Sequence, residues 1–487
     1  MMSSQAAQLA SIGSAFAAFQ QTFPTFDTTH ALDTLRATEY VRLDAQQHVY
    51  LDYTGGGLYA ECQVREHLEG LCTHVFGNPH STNPSSQAMT HLVDRVRQFV
   101  LTYFHASPDE YVVIFTPNAS GALKLAGESY PFTSEGRYLL TFDNHNSVNG
   151  IREFAHAKGA AITYVPLESP DLRVNESHLS RLLAQARPGQ PHLFAYPAQS
   201  NVTGVQHPLD WIAHAQDLGW DVLVDCAAFV PSNRLDLSRW HPDFVPLSFY
   251  KMFGYPTGVG CLLARKSALA KLRRPWFAGG TITLSSVLAA DATGSGFYLT
   301  PGEAGFEDGT INYLMLPAVE IGLRYLDAIG METIHERVRC LSGWLIEQLL
   351  ELRHSNGQPV VRIYGPITTE RRGGTIAFNF CDPSGVILDC YTIQEEANQC
   401  GLSLRSGCFC NPGVREIALG LVREDLASVF RQKERMTYEQ FLHVIDGRKQ
   451  GALRVSVGLA TNFSDVYHFL QFAQTIIDRS APPSLAE

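Results

Sequence analysis

An amine, a carboxylate, an imidazole and several small hydroxyl and amide side chains follow successive apolar runs in this chain. Asp225 ends the run Asp221-Val-Leu-Val-Asp225, and Lys251 lies just past Val245-Pro-Leu-Ser-Phe-Tyr250. Asn201 stands in the turn Ser200-Asn-Val-Thr-Gly204, after Phe194-Ala-Tyr196. His145 follows Leu139-Leu-Thr-Phe-Asp143, and Ser120 follows Ile114-Phe-Thr116. In an α/β sheet, ligands bind outside the carboxyl ends of the strands. One chemistry uses this whole set. A lysine amine of lowered pKa forms a Schiff base with an aldehyde cofactor. Pyridoxal phosphate needs a carboxylate to keep its ring nitrogen protonated, and gains from a ring stacked on its face. Its phosphate needs hydroxyls and the N–H groups of a helix N-terminus. Asp225, Lys251, Ser120, Ser248 and His145 suit those roles.

Each residue alone has a plainer reading. Asp225 could cap a helix, Lys251 could be a solvated charge, and His145 could belong to the polar loop of Asn144 and Asn146. Asn201 before Gly204 suits any tight turn. Their placement after successive strands is what favours the joint reading. A second segment, Leu404-Arg-Ser-Gly-Cys-Phe-Cys-Asn-Pro-Gly413, carries two cysteines in a Gly/Pro-bounded loop beside Arg405. A thiol near a cation is more readily ionised and more nucleophilic. The pair is only half a zinc site, with Cys400 as a distant third thiolate, so no metal is expected. Two small, half-buried residues remain the alternative. Gly254-Tyr-Pro-Thr-Gly-Val-Gly260 is not a dinucleotide fingerprint, and no phosphate-binding P-loop motif is present.

The elements that must position these residues follow from pattern. Tyr111–Thr116, Tyr138–Phe142, Ile162–Val165, His192–Tyr196, Val222–Asp225, Val245–Phe249 and Gly260–Leu263 are short apolar runs. Most are continuous rather than alternating, as in strands covered on both faces. Helical patterns at Leu123–Tyr130 and Ile151–Lys158 lie between them, which predicts a mostly parallel sheet. After Gly305 the pattern changes to helices over Leu316–Ile329 and Thr333–Arg353, then strands at Val360–Tyr364, Thr375–Phe380 and Leu402–Arg405, and a terminal helix at Asp465–Ile477. The reading is an N-terminal arm over residues 1–50, a large α/β domain over 51–315 and a small α+β domain over 316–487 carrying the cysteine loop. The Ala-rich stretch Ala6–Phe19 reads as a surface helix.

The chain has 487 residues, 45% hydrophobic and 17% charged, and this is ample material for a core. With 37 Lys and Arg against 48 Asp and Glu, its formal charge is −11. That balance disfavours nucleic acid and anionic membranes as partners. The first basic residue is Arg36, so no secretory or mitochondrial leader is expected, and no run is long enough to span a membrane. Ten dispersed cysteines point to a reducing, cytoplasmic compartment.

The motifs resemble the class V branch of fold-type I, PLP-dependent enzymes, the cysteine desulfurases among them. They are most similar to the N-terminal desulfurase domain of molybdenum cofactor sulfurases. The resemblance rests on Tyr50-Leu-Asp-Tyr-Thr-Gly-Gly56, Gly77-Asn-Pro-His-Ser81, Asp243–Gly258, Phe306-Glu-Asp-Gly-Thr310, Arg405-Ser-Gly-Cys-Phe-Cys-Asn411, and Ile445-Asp-Gly447 followed by Leu453-Arg-Val-Ser456. It runs from about residue 40 to about 478.

The resemblance implies that Lys251 is the Schiff-base lysine and Asp225 the partner of the pyridine nitrogen. His145 would stack on the ring and move protons, and Asn201 would lie by the phenolic oxygen. Ser120 and Ser248 would hold the phosphate, with Thr310 reaching it across a homodimer interface. Arg454 would pair with the substrate carboxylate in a bidentate fork, and Arg405 and Asn201 would also face substrate. Cys410 rather than Cys408 would carry the persulfide, with Gly407 and Gly413 as loop hinges. The implied reaction converts L-cysteine to alanine and passes sulfur to an acceptor, either a protein or the molybdenum cofactor.

Three departures affect reactivity more than cofactor binding: Ala228 where relatives have Gln, Tyr250 where they have His, and Ala119 where they have Thr. The chain ends at Glu487 without room for the sulfurases' further domain, so delivery to a separate acceptor is the expectation. Other class V reactions (C–S lyase, selenocysteine lyase, epimerase, aminotransferase) and a non-catalytic protein of the same fold are the alternatives.

Overall fold

The structure is a computed structural model that describes residues 2–79, 81–288, 296–418, 426, 430 and 451–481. His80 and the Ile445-Asp-Gly447 motif lie outside the described residues. Among the described residues no helix is long and apolar enough to cross a membrane.

Strands are numbered here along the chain. The short β1 (Val49–Tyr50) is followed by β2 (Tyr111–Thr116), β3 (Arg137–Thr141), β4 (Ala161–Val165), β5 (His192–Pro197), β6 (Asp221–Asp225), β7 (Phe244–Ser248) and β8 (Gly260–Arg265). β2 to β8 form one seven-stranded sheet in the order β2-β8-β7-β6-β5-β3-β4. Neighbours from β7 to β4 are parallel, and β8 alone runs against both of its partners. β5, β6 and β7 are buried at every position, which is why their sequences are apolar without alternation. Their only charged or strongly polar residues sit at the ends. The predicted elements of this half are all present, shifted by a few residues at their boundaries, and the sheet is the mostly parallel one expected.

The apolar hairpin β9 (Ile282–Ser285) and β10 (Phe297–Leu299) precedes the C-terminal unit. Helix Leu316–Ile329 follows and packs mainly on helices Glu61–Thr73 and Pro84–Tyr103 of the N-terminal half, and Met331–Glu351 then leads into the C-terminal unit. That unit continues with β11 (Val361–Tyr364), β12 (Thr375–Phe380), β13 (Leu402–Ser403), β14 (Arg405–Gly407) and β15 (Ala452–Ser456). An antiparallel sheet runs β11-β12-β15-β14. The single strand expected over Leu402–Arg405 is split. β13 pairs with β1 in parallel, while β14 pairs with β15. The break between them places Arg405 directly opposite Arg454.

The N-terminal helix spans Met2–Thr22. It includes the surface helix expected over Ala6–Phe19: Ser11, Gly13, Ser14, Ala17 and Ala18 are exposed, while Phe19 anchors one face and is fully buried. Phe19 packs with Phe23, Phe26, Trp344 and Phe463, with ring centroids 4.8–6.1 Å apart. The arm is thereby fastened to the C-terminal unit by aromatic contacts, each large in buried apolar area. Arg337, also buried, reaches across the same seam to Asp33 at 2.6 and 2.8 Å.

Candidate active site

The carboxyl edge of the large sheet collects the predicted residues. A cavity of about 180 Å³ there is lined by Ser120, His145, Asn201, Asp225, Ser248 and Lys251, and also by Asn118, Ser147, Gln199, Ala228 and Tyr250. Asp225 is the last residue of β6 and Ser248 the last of β7. Lys251 follows on the short helix Phe249–Phe253, which stops at Gly254 with φ +78°. A side chain at Gly254 would meet the backbone of Leu58 and Tyr59 within 2.4 Å, so glycine is required to end this turn against the N-terminal segment.

One end of the cavity is built for an anion. Helix Ala119–Ser129 starts there, capped by Asn118, whose side chain accepts from Gly121 N. The Ser248 hydroxyl accepts from Ala119 N at 2.8 Å, and Ser120 and Ser147 share a hydroxyl–hydroxyl hydrogen bond of 2.6 Å. Three hydroxyls and a helix N-terminus in one place suit a phosphate group. Ser147 was not among the residues singled out from sequence. Its signal is weak, since a serine two residues after His145 in a polar loop looks like any other.

The other groups are electrostatically linked. Burial pushes the Lys251 amine below its usual range. Arg454 and Arg405 add to that push, and Asp225 opposes it. Burial likewise lowers His145, against the pull of Asp225, and Lys251 and Arg454 press it further down. Ser147 N donates to His145 Nδ1 at 3.1 Å. That bond claims the Nδ1 lone pair, so the ring proton of the neutral imidazole sits on Nε2. The turn bearing His145 is itself braced: His207 Nε2 donates to Asp143 at 2.9 Å, and Asn144 Nδ2 donates to Thr141 O and Ala195 O. Asp225 accepts from Ala227 N at 3.0 Å, which orients its carboxylate.

The cysteine loop docks on the wall of this cavity. Asn146 N donates to Cys410 O at 2.7 Å, and Asn201 Nδ2 donates to Phe409 O at 2.8 Å. Asn411, buried, donates to Asn201 Oδ1 and to Asp143 O. Phe409 and Cys410 both have positive φ, 53° and 54°, a conformation that costs energy in non-glycine residues. Cys408 and Cys410 are both exposed. Gly407 has φ +113°. Gly413 is not a hinge of the expected kind, because a Cβ there would lie 1.9 Å from Phe142 O. It is a close-packing glycine that lets the loop seat.

Arg454 differs from the expected free fork. Its NH1 donates to Asn201 O at 3.0 Å and its NH2 to Asp52 at 2.9 Å, while its guanidinium lies 4.9 Å from the Phe409 ring. Asp52 also binds Arg405 at 2.6 Å. Asp52 lies in the quoted Tyr50–Gly56 stretch without having been singled out, since nothing local shows that it faces two arginines remote in sequence. Thr310 does not line the cavity. It is exposed, accepts from Asn78 Nδ2 at 3.2 Å, and borders a separate, larger cavity beside helix Ala119–Ser129.

The donor set fits pyridoxal phosphate on its own chemistry: an amine depressed by burial, a buried carboxylate, a neutral imidazole and a hydroxyl cluster at a helix start share one cavity. Ala228 offers no polar group, but Gln199 brings an amide to the same wall. Gln199 Oε1 accepts from Gln206 Nε2 at 3.0 Å.

Comparison with known proteins gives the chain a family and a shared fold. The chain is 35% identical over 474 residues to a molybdenum cofactor sulfurase of Solanum lycopersicum, covering 91% of this chain and 57% of the relative. It is 36% identical over 466 residues to the molybdenum cofactor sulfurase of Homo sapiens, covering 91% and 51%. The chain thus spans about half the length of the curated relatives it matches. A solved cysteine desulfurase from Thermococcus onnurineus superposes with a TM-score of 0.73 at 23% identity, covering 91% of this chain and 98% of that one, and shares the fold. The profile of the aminotransferase class-V family matches residues 49–469, and the chain belongs to that family.

Proposed function

We propose that this protein is a pyridoxal phosphate-dependent cysteine desulfurase that converts L-cysteine to alanine and holds the released sulfur as a persulfide on Cys410. The observation that carries the reading is the docking of the cysteine loop onto the lysine-bearing cavity, through Asn146 N to Cys410 O and Asn201 Nδ2 to Phe409 O. Among the class V reactions considered, persulfide transfer is the one that requires a loop thiol at this place. The relatives named above as sulfurases support it.

Pyridoxal phosphate, when bound, supplies an electron sink for the charge left at the substrate Cα. Lys251 would hold it covalently, Asp225 would pair with its ring nitrogen, His145 would cover its face, and Ser120, Ser147 and Ser248 would hold its phosphate. Burial keeps a larger share of Lys251 as free amine at neutral pH, and the free amine is the form able to take a proton from the substrate Cα. His145, with its proton on Nε2, is a donor toward the cavity. Arg454 and Arg405 would receive the substrate carboxylate. The Cys410 thiolate attacks the substrate sulfur, a new S–S bond forms as the C–S bond breaks, and the carbon gains a proton to leave as alanine.

The reading includes a homodimer in which Thr310 of one subunit completes the phosphate site of the other. The exposed Leu284 and Tyr298 of the β9–β10 hairpin support an apolar surface available for such contact. The absence of disulfides among the ten cysteines supports a cytoplasmic location. The acceptor is a separate protein or the molybdenum cofactor. The test is to incubate the protein with L-cysteine, quantify alanine, and map persulfide by mass spectrometry. Alanine formation with persulfide on Cys410 is expected; no alanine, or alanine without any persulfide, overturns the reading.

A further inference from the structure

We propose that Asp52 is a specificity-determining residue that restricts the carboxylate pocket to monocarboxylates, by neutralising half of the charge of the Arg405–Arg454 pair. The inference rests on the reading above in one respect, that these arginines receive the substrate carboxylate. Three remote segments meet here. Arg405 and Arg454 are register partners on β14 and β15, and Asp52 bridges in parallel to Ser456, two residues beyond Arg454. Asp52 Oδ2 accepts from Arg405 NH2 at 2.6 Å and from its Nε at 3.0 Å. Asp52 Oδ1 accepts from Arg454 NH2 at 2.9 Å. Gly55 makes room for this arrangement, since a Cβ there would lie 2.5 Å from Asp52 Oδ2 and 2.6 Å from Arg405 NH2.

The charge count decides what the pocket takes. Two guanidiniums share one carboxylate, so one unit of positive charge is left. The nearby Tyr50 hydroxyl adds no negative charge, because burial and Asp52 push it up to about 12. Burying the Arg454 charge beside a second guanidinium is costly without a counter-ion, and Asp52 supplies it. Arg454 is 3% exposed, its Nε has no partner, and its pairing leaves it fixed in place. Arg405 is about half exposed, so although Asp52 holds its Nε and NH2 it keeps a face open to a ligand. The single residual charge matches one substrate carboxylate. A second carboxylate on the ligand would meet Asp52 with the residual charge of the arginine pair already matched, and such like-charge juxtaposition is how a site rejects a wrong ligand.

The experiment compares the binding of propionate and succinate to the cofactor-loaded protein, followed by calorimetry and visible absorbance, with no turnover required. In Asp52→Asn the succinate-to-propionate affinity ratio should rise about tenfold over wild type, the size expected for one uncompensated charge in a partly buried site. Asp52→Glu should keep the wild-type ratio. An unchanged ratio in Asp52→Asn overturns the proposal. Should that variant not fold, Arg405→Gln serves instead. It brings the local charge to zero, so binding of both acids should fall about tenfold, and undiminished propionate binding overturns the proposal. If the loaded wild type makes no alanine from L-cysteine, yet Asp52→Asn shows the ratio shift, the desulfurase reading sinks while the role of Asp52 stands.

Discussion

The carbonyl of Cys410 accepts a hydrogen bond from the backbone N–H of Asn146, the residue after His145, at 2.7 Å. One backbone contact therefore ties the loop that offers a thiol to the turn that offers an imidazole. Cys410→Ala should keep the cofactor absorbance and lose persulfide formation, while Cys408→Ala should be milder. Mass spectrometry after L-cysteine treatment decides it, and the reverse order removes Cys410 from its assigned role.

On the proposed reading, cofactor attachment depends on Lys251. Lys251→Ala should abolish the long-wavelength absorbance of the loaded protein. Borohydride reduction of wild type should leave a pyridoxyl label on the peptide containing residue 251. A label on another peptide would exclude Lys251 as the attachment point.

The electrostatics of that lysine give a pH prediction with a definite sign. Only the free amine attacks an aldehyde, so cofactor uptake by the cofactor-free protein rises with pH through the pKa of Lys251. Burial and Arg454 lower that pKa from 10.5, so the midpoint lies below the ordinary lysine value. Arg454→Gln removes one of the charges pressing it down and should move the midpoint to higher pH. Stopped-flow uptake across a pH series reads it out, and a shift to lower pH contradicts the account.

Thr310 lies outside the cavity of its own chain. If its hydroxyl serves a neighbouring subunit, Thr310→Ala should speed cofactor loss on dialysis. A monomer by light scattering with full cofactor occupancy would refute the shared-site dimer.

Phe19 tests the seam between the arm and the C-terminal unit. It is fully buried against Phe23, Phe26, Trp344 and Phe463. Phe19→Ala should destabilise the protein by about 3–5 kcal/mol through lost burial and the cavity left behind. Denaturant unfolding measures this, and a change under about 1 kcal/mol would mean the arm is dispensable for stability.

The sequence by itself determined the large sheet and most of the site. Short, continuous, β-branched runs such as Val222-Leu-Val224, alternating with helical patterns, point to strands covered on both faces, and the polar residue that ends such a run emerges at the ligand-binding edge. Asp225, Ser248, Lys251, His145 and Asn201 were legible as cavity-lining residues for that reason, because their placement follows from position along a strand. Tertiary structure alone decided the rest. Asp52 meets Arg405 and Arg454 only because β1 and the segment after it lie against β13 and β15, a pairing between residues about 350 to 400 apart. Ser147, Gln199 and the seating of Gly413 under Phe142 are of the same kind. Side chains joined by long-range packing carry no local signature, since each is an ordinary loop or turn residue until the chain closes around it.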